Sequence, residues 1–190
     1  MEKMICYFDK AGPQNTDKTI RLARERAREL RVKDIVVAST YGGTALKVAD
    51  AFGDMGVNIV VVTISMGYAE EGWTMGDERR RELEARGLKV LTCPHTLSGD
   101  VGEAFTRKFG GRTPGEIVAQ TLYRFCQGMK VCVEVTLMAA DAGLIGVDRE
   151  VIAIAGTDEG ADTCIVLKPS YSRRFMDLEI REIVAKPRIP

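Results

Sequence analysis

The sequence predicts an α/β fold with a mostly parallel sheet, and three observations support this prediction. Apolar runs of strand length alternate with helical patterns along the whole chain. Two runs, Ile35–Ala38 and Ile59–Val62, are apolar at every position, as expected of parallel strands covered on both faces. The last run, Leu178–Ile183, mixes charged and apolar residues, which favours an antiparallel edge strand with one face in water.

Seven segments have the length and composition of strands. The predicted strands are Met4–Phe8, Asp34–Ala38, Asn58–Ile64, Lys89–Thr92, Val151–Ala155, Thr163–Lys168 and Glu179–Ala185. Helical patterns lie between them. The predicted helices are Asp17–Leu30, Thr44–Phe52, Asp77–Ala85, Pro114 to about Cys126, and Met129–Ala142.

The predicted helix ends depend on a few local signals. Thr16 is a plausible N-cap for the first helix, and Thr113 and Glu116 form a capping-box pattern with Pro114 at the first helical position. Gly128 separates the last two predicted helices, and Gly143 ends the second of them.

No internal repeat or flexible linker divides the sequence, so we expect a single domain over residues 1–190. Two predicted connections, Ser65–Gly76 and Pro94–Arg112, are long for a compact domain. Loops of this length often cover or form a binding site.

The composition excludes several classes of function. Lys and Arg together number 27, as do Asp and Glu, so no overall charge attracts the chain to nucleic acid or to a membrane. The cluster Arg79–Arg81 is flanked by acids and predicts a solvated helix face. The five cysteines include no C-x-x-C pair, which argues against a disulfide framework or a zinc site, and the apolar runs around Cys6, Cys93 and Cys164 predict buried reduced thiols. We expect a cytoplasmic protein.

Four segments should lie at one rim of the sheet, because ligands of open α/β sheets bind beyond the carboxyl ends of the strands. All four combine glycine with hydroxyl side chains. They are Ser39–Thr44, Thr63–Tyr68, Cys93–Gly99 and Gly156–Thr163.

The first rim segment is the best candidate for binding phosphate. Gly42 and Gly43 allow close approach of the backbone, and hydroxyls surround them on a turn that enters a helix. The pattern is neither a Walker A motif nor G-x-G-x-x-G, which disfavours a nucleoside triphosphatase or an ordinary dinucleotide site. The alternative is a tight strand-to-helix turn with no ligand.

Other rim residues have two interpretations each. His95, the sole histidine, is either structural or a proton donor. The acids Asp158, Glu159 and Asp162 suggest turn chemistry more than a metal site. The loop with Tyr68 and the only tryptophan, Trp73, either stacks on a planar ring or seals against the protein.

One pair of charged residues lies away from these segments. Lys130 and Glu134, four residues apart on a largely apolar helix, suggest a surface ion pair.

The motif Ser-Thr-x-Gly-Gly-Thr after Ile-Val-Val-Ala-Ser resembles the phosphate-gripping loop of the pyruvate kinase C-terminal α/β domain, and the strand Val151–Ala155 with Gly156 and Thr157 is similar to a later strand of that domain. Nearly the whole chain resembles a group of small, largely archaeal, stand-alone versions of the domain. The segments that carry this match are Pro13–Thr16, Gln127–Val131, Met138–Leu144, Gly160–Thr163 and Lys186–Arg188.

The resemblance implies a three-layer α/β/α sandwich and an association with flavin mononucleotide (FMN). It does not imply kinase activity, because 190 residues leave no room for the catalytic barrel. The candidate cofactor-binding residues are Asn15, Thr16, Ser39, Thr40, Gly42, Gly43, Thr44, Thr63, Gly67, Tyr68, His95, Gly156, Thr157, Asp162 and Thr163. His95 is also the weak candidate for a catalytic residue.

Two functions follow as alternatives. The first is an FMN-binding flavoprotein of unknown reaction, with a flavin-dependent oxidoreductase as its candidate activity, in which the cofactor carries the electron chemistry. The second is a non-catalytic sensor of a phosphorylated metabolite. In both cases the expected partner is a small phosphorylated ligand, with no metal, and the chain could form homo-oligomers.

Overall fold

The computed structural model describes residues 2–189, in which seven strands form one sheet in the order β1-β7-β6-β5-β2-β3-β4. The predicted alternation of strands and helices is confirmed. The strands are β1 Cys6–Phe8, β2 Asp34–Ala38, β3 Asn58–Val62, β4 Lys89–Leu91, β5 Val151–Ala155, β6 Thr163–Lys168 and β7 Glu179–Pro187.

The sheet is mixed, as the sequence predicts, but the strand that runs against the others is β6 and not the last strand, β7. β6 runs antiparallel to both of its neighbours, β5 and β7, and all other pairings are parallel. The charged first part of β7 has no strand on its outer side, whereas Ala185–Pro187 pairs with β1. The first part of β7, which has one face in water, is therefore an edge of the sheet. The buried end of β7 pairs with β1, near the start of the chain.

Six α-helices surround the sheet in the part of the chain that the structure describes. They are α1 Thr16–Leu30, α2 Gly43–Phe52, α3 Asp77–Ala85, α4 Val101–Phe109, α5 Pro114–Leu122 and α6 Gln127–Asp141. Between residues 2 and 189, none of them is long and apolar enough to cross a membrane.

Three predictions about the helices were wrong. The stretch Pro94–Arg112 contains α4 and is not a continuous loop. Thr16 is the first residue of α1 and not its N-cap, which is Asn15. Gly128 lies inside α6, where a Cβ atom would be 2.2 Å from Thr163 Oγ1, so it permits close packing and does not separate the helices. The capping box of α5 and the glycine end of α6 at Gly143 are confirmed.

Two apolar cores lie on opposite faces of the sheet. α1, α2 and α3 contribute Ala27, Phe52 and Leu83 to one core, and α5 and α6 contribute Ala119 and Met129 to the other. This arrangement is a three-layer α/β/α sandwich. Because β1–β5 and β7 all point the same way, their carboxyl ends and the amino ends of α1, α2, α3 and α6 meet at one rim.

Candidate functional site

The turn between β2 and α2 lies at this rim, and its backbone is shaped by one glycine and one serine. Gly42 has φ +87°, a conformation that residues with a Cβ rarely adopt, and its carbonyl accepts from Leu46 N at 3.0 Å. The buried Ser39 Oγ accepts a hydrogen bond from Ala45 N at 3.3 Å and so satisfies one donor of the first helical turn.

The first two N–H groups of α2, those of Gly43 and Thr44, have no hydrogen-bond partner within residues 2–189. A Cβ atom placed on Gly43 would have no heavy atom within 4 Å, so the space in front of the helix end is open. Free N–H groups and the positive end of the helix dipole both favour an anion at this position.

Arg79 of α3 packs against this helix end. A Cβ atom on Gly42 would lie 2.5 Å from Arg79 Cγ, and the guanidinium is 2.9 Å from Glu82 Oε2 with 40% of its side chain exposed. The neighbouring Arg80 bonds to the carbonyl of Val90 at 3.2 Å. The prediction of a merely solvated arginine cluster was therefore wrong for these two residues.

Hydroxyl side chains continue along the rim across three adjacent strands. Ser39 N donates to Val62 O at 3.0 Å and Thr63 N to Leu91 O at 2.9 Å, so both residues extend the parallel ladder beyond the strand ends. Thr63 Oγ1 is 2.6 Å from Thr92 Oγ1. Neighbouring strands lie about 4.8 Å apart, which places the ends of β2 and β4 roughly 10 Å from each other.

The loop after β3 carries an aromatic pair. The rings of Tyr68 and Trp73 stack with centroids 5.9 Å apart and planes inclined by 14°. Trp73 is 49% exposed. A Cβ atom on Gly99 would be 3.1 Å from Tyr68 Oη, so this loop contacts the segment that follows β4. Gly67 precedes Tyr68 in a 3₁₀ turn, Met66–Tyr68.

At the other end of the rim, the loop Gly156–Thr163 is hydrogen-bonded to the segment between β1 and α1. The fully buried Asp162 accepts hydrogen bonds through Oδ2 from Gly12 N at 2.9 Å and from Thr157 N at 3.2 Å. Thr16 Oγ1 donates to Pro13 O at 2.7 Å and accepts from Ala161 N at 2.9 Å.

Several predicted ligand residues are thus engaged in bonds within the protein. Asn15 Nδ2 donates to Lys10 O at 2.8 Å, and Thr163 Oγ1 donates to Asp162 Oδ1 at 2.8 Å. These residues, together with Thr16 and Asp162, hold the shape of the rim. Asp162 acts here through turn chemistry, as the sequence suggests.

A buried group of charged and polar side chains lies where α6 meets the segment after β4. Lys130 and Glu134 are only 3% and 1% exposed, and Lys130 Nζ is 2.5 Å from Glu134 Oε2. Lys130 Nζ also donates to Ser98 Oγ at 2.7 Å, and Glu134 Oε1 accepts from Leu97 N at 3.1 Å. The prediction of a surface ion pair was wrong.

This group includes His95, whose Nδ1 is 3.4 Å from Glu134 Oε2. Tyr123 lies beside it, with Lys130 Nζ 5.9 Å from the centre of its ring. Burial raises the pKa of the Tyr123 hydroxyl, and the negative charges of Glu134 and Glu103 add to this effect. A cavity of about 290 Å³ borders Tyr123, Ser98 and Glu103.

Comparison with known proteins identifies the fold. The sequence model of the family described as "Pyruvate kinase, alpha/beta domain" matches residues 17–167. A crystal structure of a pyruvate kinase from Cryptosporidium parvum is 15% identical over 82% of this chain and 23% of its own, with a TM-score of 0.44. A structure of the pyruvate kinase of the same organism in complex with ADP is 16% identical over 90% of this chain and 24% of its own, with a TM-score of 0.41. This chain therefore spans about a quarter of the length of these enzymes.

Proposed function

Since this chain belongs to the pyruvate kinase α/β-domain family, we propose that it binds a small phosphorylated ligand at the N-terminus of α2. One observation carries the proposal. Gly43 N and Thr44 N are unpartnered at an open helix end within the described part of the chain, and Arg79 packs beside that end. Two backbone donors and a helix dipole suit a phosphate dianion, and the side chain of Arg79 is long enough for its guanidinium to turn from Glu82 towards the same position.

FMN is the first ligand to test. Its phosphate matches the donors at α2, and its flat ring has the chemistry to interact with the exposed ring of Trp73, which stacks on the partly buried Tyr68 in the loop after β3. When bound, FMN supplies electron transfer, and the protein contributes binding, orientation and control of access.

One observation favours the alternative, a sensor of a phosphorylated metabolite without a flavin ring. Tyr68 and Trp73 already stack on each other at 5.9 Å, so neither ring needs a ligand to cover it. A sugar phosphate needs only the donors at α2 and the hydroxyls of Thr40 and Thr44. The same binding experiment decides between the two ligands.

The experiment uses two variants of Gly43 that differ in charge alone. Gly43→Asp puts a carboxylate in front of α2, where a Cβ atom has free space and where acids stabilise a helix. We expect it to fold and to lose phosphate-ligand binding by 100-fold or more, on the order of 3 kcal/mol for a charge at a charge-assisted site. Gly43→Asn is the neutral control: it fills the same space without the charge, and it should bind more tightly than Gly43→Asp.

Binding is measured by the rise in melting temperature with FMN, riboflavin or glucose 6-phosphate, and by the fluorescence of Trp73, the only tryptophan. FMN stabilisation without riboflavin stabilisation supports the flavin proposal, and stabilisation by glucose 6-phosphate alone supports the sensor. Equal FMN affinity of Gly43→Asp and Gly43→Asn contradicts the phosphate position.

A further inference from the structure

The buried ion pair of Lys130 and Glu134 is not expected to increase the stability of the folded protein by itself. Removing two charges from water costs several kcal/mol per ion, and well-packed apolar residues in their place are often neutral or stabilising. The rest of α6 is almost entirely apolar and buried. Lys130 and Glu134 are only 3% and 1% exposed in this helix. Their charges are therefore expected to act on neighbouring side chains.

Those surroundings contain the only histidine of the chain. The imidazole of His95 is 20% exposed and faces the carboxylate, with 3.4 Å between Nδ1 and Glu134 Oε2. The same oxygen is 2.5 Å from Lys130 Nζ, and the other oxygen accepts from Leu97 N. The carboxylate therefore accepts hydrogen bonds from an ammonium and from a backbone N–H.

An ionised carboxylate next to Nδ1 has a defined effect on a neutral imidazole. It favours the tautomer with hydrogen on Nδ1, and Nε2 is then left with a free lone pair that can accept a proton. Three further polar groups belong to this cluster: Ser98 Oγ accepts from Lys130 Nζ, Tyr123 lies beside the same ammonium, and Glu103 accepts from Gly99 N.

The position of His95 connects this cluster to the rim. Thr92 touches Thr63 at the end of β3, and β3 adjoins β2, whose turn leads to the N-terminus of α2. His95 follows Thr92 by three residues, a span of at most about 11 Å of extended chain. His95 therefore lies within about 11 Å of Thr92, which follows β4 at the rim.

We propose that His95 exchanges a proton with the phosphorylated ligand through Nε2, with Glu134 as the positioning residue and Lys130 as its counter-ion. The step moves one proton from an acidic group of the ligand to the Nε2 lone pair, or back again, and needs no further reactant. This inference rests on the proposed function for the identity of the ligand. The state of His95 itself can be measured without any ligand.

Because the chain has a single histidine, ¹⁵N NMR of histidine-labelled protein gives one pair of ring nitrogens. At about pH 9, where imidazoles are neutral, we expect the Nδ1–H tautomer to dominate. Dominance of the Nε2–H tautomer, which free histidine favours, overturns the proposal. No variant is needed for this measurement.

The role of the carboxylate is tested with Lys130→Met/Glu134→Met, which removes both charges and leaves no unpaired ion. We expect the tautomer to shift to Nε2–H in this double variant. Ser98→Ala, which keeps both Lys130 and Glu134, is the control and should retain Nδ1–H. An unchanged tautomer in the first variant overturns the assignment of Glu134.

Titration with FMN tests contact with the ligand. Saturating FMN should shift the Nε2 resonance more than Nδ1, and the shift should disappear in Gly43→Asp while the tautomer stays the same. A bound ligand that leaves Nε2 unmoved overturns the proposal. If FMN does not bind but the Nδ1–H tautomer is found, the proposed ligand fails and the His95–Glu134 arrangement stands.

Discussion

Lys130 and Glu134 are the residues for which local spacing and burial pointed in opposite directions. Their separation of four residues is typical of an exposed helical ion pair. The neighbours Val131, Val133 and Val135, however, make the helix apolar around most of its circumference, and such a helix is normally buried. The second pattern was the correct signal. The contact with His95 could not be predicted, because it depends on how residues 92–98 pack across α6.

Gly160 gives a prediction at the residue scale. It has φ +72°, and a Cβ atom there would lie 2.3 Å from Thr16 Oγ1 and 2.7 Å from Pro13 Cα. Thr16 Oγ1 is held by two hydrogen bonds and cannot easily move. We expect Gly160→Ala to lower the free energy of unfolding by about 2–5 kcal/mol, from backbone strain and overpacking together.

Gly56→Ala is the matched control for this change. Gly56 also has a positive φ, +58°, but a Cβ atom there would have no heavy atom within 4 Å. It should lose only the backbone component, about 1–2 kcal/mol, in urea denaturation. Equal losses in the two variants would show that the contact with Thr16 is not tight.

At the scale of elements, α4 was missed although the sequence contains its start signal. Asp100 accepts from Glu103 N at 3.0 Å, and the pair has the spacing of a helix cap. Gly102, Gly110 and Gly111 obscured the signal because glycine is unfavourable in helices. The apolar side chains of α4 are also exposed, so no core pattern supported a helix there.

The ion pair between Arg24 of α1 and Asp54, just after α2, gives a prediction on how the stability of the fold depends on pH. Asp54 receives two hydrogen bonds from Arg24, at 2.8 and 2.7 Å, and this lowers the carboxyl pKa from its usual 3.8 to about 2. A lowered pKa in the folded state means that the contribution is present above the unfolded value and is lost as the pH falls through the folded one. The stability of the natural chain should therefore fall between about pH 4 and pH 2 partly through Asp54.

Asp54→Asn should flatten this part of the pH dependence. Urea midpoints of the two proteins are compared from pH 6 downwards, and the difference between them should shrink towards pH 2. Parallel curves over the whole range would mean that the Arg24 contact contributes nothing in solution. High salt should reduce the difference, because the pair is at the surface.

For the molecule as a whole, the layer order and the common rim were predictable from the sequence. The fully apolar runs of β2 and β3 identify central strands, and the alternation of strands and helices fixes the class of fold. The pairing of β1 with β7 was not predictable, because a three-residue strand carries too little pattern to specify its neighbour. The glycines and hydroxyls of the turn between β2 and α2 single it out in the sequence as the candidate site. The contact of Arg79 with Gly42 was not predictable, because Arg79 belongs to a cluster with the pattern of a solvated helix face.

Burial of the cysteines gives a prediction for the whole molecule. All five are free, and Cys126, Cys132 and Cys164 are at most 1% exposed. Burial raises the pKa of these three thiols, which further lowers their reactivity. Cys6 and Cys93 are only half-buried, so the prediction of buried thiols holds for Cys164 alone among the three residues it concerned.

Brief treatment of the folded protein with iodoacetamide should therefore give at most two adducts, first on Cys6, and unfolding in urea should give five. Mass spectrometry of the intact chain and its peptides measures both. A third adduct formed as fast as the first two would mean that one core opens without global unfolding.

The pairing of β1 with β7 has a consequence for biosynthesis. Within residues 2–189, β7 is the only sheet neighbour of β1, and about 170 residues separate the two strands in the sequence. At translation rates of about 5–20 residues per second, β1 is synthesised roughly 10–30 s before β7, and it has no strand to pair with during that time. The nascent chain can assemble the layers around β2–β5 during that interval, while its first segment stays available to chaperones until synthesis reaches the last strand.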